Sequence, residues 1–179
     1  MAKPEVREAI AYALDKGEVI DGLYAPLFGD LLPREGLGNT YWMSNQPAYV
    51  DHQAQYDGAQ IEEAQALLES AGYTQNSDGI YEHPEDGVLS LRVGTTGGNK
   101  LREDQQQIIQ QQLKDAGIDI VIDNVPGGDY FSERVFADDS ILASTTQGAE
   151  GDPTIWDITQ FAWVGGPLPG SNTTAYQGG

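Results

Sequence analysis

Between residues 89 and 123 the spacing of apolar side chains changes period twice. Leu89, Leu91 and Val93 alternate with Ser90 and Arg92, the period of two that turns one face of an extended strand inward. Gly94-Thr95-Thr96-Gly97-Gly98 then leads into a segment from about Asn99 to Ala116, closed by Gly117, whose Leu101, Ile108, Ile109, Leu113 and Ala116 form a helical stripe. Ile118, Ile120 and Ile122 restore the alternation, separated by Asp119, Val121 and Asp123. A strand, a helix and a strand joined by a crossover of this length pair in parallel with right-handed connection. The unit commits the chain to an α/β fold, with helices covering a sheet.

Helical stripes recur elsewhere. Pro4 stands at a first-turn position ahead of Val6, Ala9, Ile10, Ala13 and Leu14, one apolar face at i, i+3, i+4, i+7 and i+8. Val19, Ile20, Leu23 and Tyr24 predict a short second helix, with Glu18 and Asp21 near its positive end. Residues 25–57 hold three prolines, three glycines and the aromatics Tyr41, Trp42, Tyr49 and Tyr56 without a period, which predicts a long ordered loop. Ile61, Ala64, Leu67, Leu68 and Ala71 form another helical stripe, ending at Gly72 where a left-handed cap belongs. Ile141-Leu142-Ala143 is a brief apolar run, Trp156 to Val164 a longer strand candidate, and the chain ends in glycine-rich sequence.

The 179 residues suffice for one domain with its own core. No stretch approaches the roughly 18 to 20 apolar residues that cross a bilayer. The formal charge of -19 repels phosphate backbones, so nucleic acid is not an expected partner. Cysteine is absent, which excludes disulfides and thiolate chemistry. His52 and His83 are the only histidines and neither has a companion at metal-ligand spacing, so both are expected on the surface and no metal or cofactor is implied. The 94–98 turn lacks the lysine and the spacing of a phosphate loop.

Four ordered blocks resemble the extracellular solute-binding proteins of family 5, which serve oligopeptide and dipeptide ABC importers. Val6-Arg7-Glu8-Ala9-Ile10-Ala11-Tyr12-Ala13-Leu14-Asp15 is similar to the helix that opens that family's second lobe. Glu62 to Tyr73, followed by Asp78-Gly79-Ile80, resembles its next helix and turn, Ile108 to Ile118 its helix-to-strand junction, and Phe161-Ala162-Trp163 its ligand strand. The likeness runs from about Pro4 to Tyr176.

The resemblance implies that the α/β fold is a periplasmic-binding-protein-like lobe (type II, cluster C) with a mixed sheet flanked by helices. It also implies that residues 1–179 are the single, second lobe of a two-lobe clamshell, truncated at both ends, with the first lobe, export signal and lipid anchor belonging to a longer protein. Periplasmic or extracellular placement and an ABC permease partner come with it, as does a peptide or other small polar ligand.

On this resemblance Ala162 and Val164 offer main-chain hydrogen bonds to the ligand while Trp163 packs against it, and a bound peptide adds a strand to the sheet edge. Gln160 occupies a position that is basic in some relatives, and Tyr130 and Thr95 fall at loop positions expected to line the pocket. Gly166 stands where oligopeptide binders carry the aspartate that pairs with the ligand's amino terminus, leaving Asp152 and Asp157 as neighbouring acids. Two other functions fit the composition: an acidic module that docks on another protein, and a carboxylate- or metal-dependent hydrolase using Asp123 or Asp129.

Overall fold

A computed structural model of the chain describes residues 3–31, 36–39, 42–130 and 157–160. The first helix, α1 (Pro4–Ala13), begins at proline because the missing N–H would have no helical partner there. It buries Val6, Ala9 and Ala13 and packs on α4 (Ile61–Ser70), which buries Ala64 and Leu68. With alanine on both surfaces the two backbones approach closely.

Between them, the Asp15 carboxylate accepts the Glu18 N–H at 3.1 Å and caps α2 (Lys16–Val19). The chain continues through a wider, π-helical turn (Ile20–Tyr24) into α3 (Ala25–Phe28). The loop predicted after it is ordered by its own polar groups where it is described: the Tyr49 hydroxyl accepts from the Gly38 N–H at 3.0 Å and the Gly38 carbonyl accepts from the His52 N–H at 2.9 Å. Tyr56 meets Tyr12 edge-on, with ring centroids 4.8 Å apart.

Helix α4 ends as the sequence predicts. Gly72 takes φ +91°, its N–H reaches the Glu69 carbonyl at 3.0 Å, and the Tyr73 N–H reaches Leu68 at 3.0 Å. This is a Schellman cap, which satisfies carbonyls the helix leaves open and sets Tyr73 over Leu68. Helix α5 (Lys100–Asp115) closes in the same way: Gly117 at φ +83° bonds to Lys114 at 2.9 Å, and Ile118 to Leu113 at 2.8 Å.

Three short strands lie between those helices: β1 (Thr74–Gln75), β2 (Tyr81–His83) and β3 (Gly87–Val88), an antiparallel meander. Sequence periodicity does not reveal them because strands of two or three residues hold no legible alternation. The strand–helix–strand unit is as expected: β4 (Ser90–Gly94) and β5 (Asp119–Ile122) pair in parallel with Leu91 opposite Ile120 and Val93 opposite Ile122. On the other side of β4 lies β6 (Ile158–Thr159), also parallel.

Among the described residues the strands form two three-stranded sheets, one antiparallel and one parallel, flanked by helices. Tyr81 joins the two sheets, its N–H donating to Gly117 at 2.8 Å and its carbonyl accepting from Leu89 at 2.8 Å. The Ile141–Ala143 run, and the strand candidate 156–164 apart from 157–160, lie outside the described residues.

The buried face of α5 differs from its predicted stripe. Leu101 is 40% exposed, Ile108 and Ile109 are only partly covered, and Gln106 and Gln112 are buried beside Leu113. The reason is that α5 covers more than apolar surface. Gln112 accepts the Asp15 N–H at 3.3 Å and donates to the Asp15 carbonyl at 3.2 Å, serving the backbone where α1 gives way to α2. A buried backbone that needs polar partners selects glutamine over leucine at that position.

Tyr81, 1% exposed, donates its hydroxyl to Glu69 at 3.1 Å. Burial first, and the Glu69 carboxylate second, push its pKa up to about 12 from 10.0. The fold therefore favours the neutral phenol. Its contribution is whole below pH 10 and is lost as pH rises through about 12, a total of about 3 kcal/mol. Urea unfolding of the wild type is expected to weaken across that interval by this much more than that of Tyr81→Phe; parallel curves for the two proteins would contradict it.

Candidate functional site at the carboxyl ends of the parallel strands

Ligands of open α/β sheets collect at the carboxyl ends of the strands, where backbone groups leave the ladder. Here β4, β5 and β6 end together at Gly94, Ile122 and Thr159, and the residues that follow form one hydrogen-bonded cluster. The Gln160 N–H donates to the Gly94 carbonyl at 2.9 Å, carrying the β6 pairing one step further. The Gln160 carbonyl accepts two hydroxyls, Thr95 Oγ1 at 2.8 Å and the Tyr130 phenol at 2.8 Å. Three candidate residues from separate parts of the chain thus meet on one carbonyl oxygen.

A second layer holds this clamp. Asn124 Oδ1 accepts the Thr95 N–H at 3.0 Å and the Gln106 amide at 3.1 Å, and the Asn124 amide donates back to Gln106 Oε1 at 2.9 Å. Gln160 Nε2 donates to Gln105 Oε1 at 2.7 Å, while Gln160 Oε1 is closed off from solvent with no donor among the described residues. Arg102 Nη1 donates to Thr96 Oγ1 at 3.0 Å. Burial raises the Tyr130 pKa, and the Arg102 charge partly opposes that rise, so at neutral pH the phenol keeps the proton it donates.

Thr95 and Tyr130 are each fully buried. They do not line an open pocket as expected, but act from behind, fixing where the chain leaves β6. Gln160 is half-buried at the edge itself. Ala162, Trp163, Val164 and Gly166 lie outside the described residues, as does Asp152. Asp157 sits at the far end of β6, where its carboxylate accepts the Arg92 N–H at 2.9 Å and anchors β6 to β4. Sequence reasoning missed Arg102, Gln105, Gln106 and Asn124. The first three share one helix face by their i, i+3, i+4 spacing, a signal obscured because polar side chains near a helix start are ordinarily solvated.

Among the described residues, nothing in the cluster pairs a nucleophile with a base. Asp123, one acid considered for hydrolysis, faces Arg92 at 3.4 Å, and among the described residues no group of three or more His, Cys, Asp or Glu could hold a metal ion. His83 is not the surface residue expected: it lies against the Tyr73 ring, centroids 5.0 Å apart, and 3.4 Å from Asp86.

A cavity of about 280 Å³ opens at the opposite, amino ends of the strands, bordered by Lys3, Tyr73, Asp86, Ser90 and Asp157. Its charges satisfy one another. Lys3 pairs with Asp86 at 2.6 Å and lies 4.9 Å from the Tyr73 ring centre, and the Tyr73 hydroxyl donates to Asp86 at 3.2 Å. The lysine holds the Asp86 carboxyl below its usual range.

The family model described as bacterial extracellular solute-binding proteins, family 5 Middle, matches residues 1–178. The chain is similar to the oligopeptide-binding protein AppA of Bacillus subtilis (strain 168), 29% identical over 122 residues that cover 65% of this chain and 20% of AppA. Among solved structures it is similar to the periplasmic EDTA-binding protein EppA, with TM-score 0.63 and 23% identity over 73% of this chain and 25% of that one. It is likewise similar to the oligopeptide-binding protein of Thermus thermophilus complexed with a pentapeptide, with TM-score 0.59 and 24% identity over 89% of this chain and 24% of that one. The chain therefore spans 20% of the length of AppA and about a quarter of the two structures.

Proposed function

Because the chain belongs to the bacterial extracellular solute-binding proteins, family 5, we propose that it is the second lobe of an ABC-importer binding protein and captures a peptide or similar small polar solute at the carboxyl ends of β4, β5 and β6. The observation that carries this reading is the clamp of Thr95 and Tyr130 on the Gln160 carbonyl. Two buried hydroxyls committed to one backbone oxygen hold the chain at Gln160, two positions in sequence before Ala162. A ligand strand positioned in this way binds through main-chain groups and tolerates many side chains. The relatives' ligands, a pentapeptide in one and EDTA in another, fit an edge that supplies hydrogen bonds without chemistry.

In this role the lobe performs no covalent step. It closes with a first lobe over the solute and passes it to a membrane permease, working in the periplasm or outside the cell as part of a lipid-anchored protein. The lobe by itself binds weakly, because half a cleft leaves the ligand facing water.

The test uses the whole protein with both lobes. A solute identified by mass spectrometry after purification is expected to bind by calorimetry, and Tyr130→Phe is expected to weaken that binding about tenfold, the scale of one lost hydrogen bond at a positioned group. No calorimetric signal across peptide, oligosaccharide and metal-chelate libraries would end the proposal. A micromolar or tighter ligand for the isolated chain would rule out the half-cleft reading.

A further inference from the structure

At the amino ends of the parallel strands, Lys3 sits in the cavity as a ligand would. Its ammonium lies 2.6 Å from an Asp86 carboxylate oxygen and 4.9 Å from the centre of the Tyr73 ring. The ring is fixed in turn: its hydroxyl donates to the same carboxylate at 3.2 Å, and the His83 imidazole lies against it with centroids 5.0 Å apart. A carboxylate set beside an aromatic face is how proteins recognise ammonium groups. The hydrogen bond to Asp86 is the main cause raising the lysine's pKa, so the charge is retained.

Nothing in α1 accounts for a lysine at this position. Lys3 is the N-cap residue, where Ser, Thr, Asp or Asn would satisfy a free N–H, and its side chain makes no capping bond. The helix dipole also disfavours a cation there. Meanwhile the cavity reaches beyond the ion pair. Its volume of about 280 Å³ is near the lower end of small-molecule sites, about 300–1,000 Å³, and the buried Val6, Leu89 and Leu91 give it an apolar wall. Asp157 and Ser90, also on its border, are committed within the parallel sheet, to the Arg92 N–H and to Asp119. The Lys3 and Asp86 side chains are 34% and 46% exposed, and an ion pair so open to water exchanges partners readily.

We propose that this cavity is a second ligand site, for a small free amine whose ammonium takes the place of Lys3 between Asp86 and Tyr73 and whose apolar body lies along Val6, Leu89 and Leu91. Lys3 is the internal occupant that fills the ammonium position when no amine is bound. The chain's charge of -19 draws cations toward the surface, and the cavity selects among them by its apolar wall. The site lies at the opposite end of the parallel sheet from the Thr95–Tyr130–Gln160 clamp, so it does not depend on what the carboxyl ends bind.

Three probes of one shape test it: 2-phenylethylammonium, the neutral 2-phenylethanol and the anionic 3-phenylpropionate. Each is titrated into the isotopically labelled chain, with backbone amide resonances followed by NMR into the millimolar range. The ammonium is expected to shift the signals of Tyr73, Gly87 and Leu91 saturably, to leave those of Thr95 and Gln160 in place, and to bind about tenfold more tightly than the alcohol or the acid. Lys3→Met, which keeps the apolar stem and removes the internal ammonium, is expected to tighten that binding about fivefold. Asp86→Asn is expected to abolish the preference for the ammonium over the alcohol; if that variant loses its dispersed spectrum, the comparison of Lys3→Met with the wild type decides alone. Equal affinities for ammonium and alcohol, or unchanged or weaker binding in Lys3→Met, would overturn the proposal. So would an absence of shifts, or unsaturable shifts spread over the acidic surface of α4 at Glu62 and Glu63, which would mean counterion attraction only.

Discussion

Gly117→Ala is expected to destabilise the lobe by about 2–5 kcal/mol, the sum of a left-handed backbone penalty and forced overpacking. At φ +83° any L side chain is strained, and an added Cβ would lie 2.7 Å from Tyr81 Cδ2 and 2.9 Å from the Gly79 carbonyl oxygen. Neither neighbour can yield easily. Tyr81 is buried in the core, and Gly79 closes the turn before β2. Gly98→Ala provides the control: φ is also positive, at +84°, but nothing lies within 4 Å of the new Cβ, so only the backbone penalty of about 1–2 kcal/mol remains. Urea denaturation of both variants measures the difference, and equal losses would show that the contact with Tyr81 is not the source.

Leu113→Ala is expected to cost about 3–5 kcal/mol, and Leu101→Ala less than about 0.5 kcal/mol. The residues are chemically identical and lie on the same helix. Leu113 is fully buried, beneath the Schellman cap where Ile118 bonds back to it, whereas Leu101 is 40% exposed in the first turn. The apolar stripe alone treats them as equivalent. Comparable losses in equilibrium unfolding would mean that Leu101 and the first turn of α5 are covered in solution.

The blocks that carry the family resemblance have a physical explanation. Ala71-Gly72-Tyr73 and Ala116-Gly117-Ile118 are the same Schellman cap formed twice, each with glycine at positive φ and a buried residue placed over the helix's last turn, Tyr73 over Leu68 and Ile118 over Leu113. Such a cap needs particular residues at consecutive positions, so it leaves a local imprint that can be read without coordinates. The opening helix is legible for the same reason: Pro4 at its start and Val6, Ala9 and Ala13 one turn apart suffice to define its buried face.

Periodicity and cap chemistry, which act over a few neighbouring residues, were enough to establish α1, α4, α5 and the parallel pairing of β4 with β5. The clamp at the strand ends was not accessible in that way, because Thr95, Tyr130 and Gln160 are 30 to 65 positions apart and meet only through side-chain hydroxyls on a carbonyl that folding brings to them. The same holds for the buried glutamines of α5. A polar side chain's role depends on which distant backbone group or acid ends up within about 3 Å of it, and no local pattern encodes that distance.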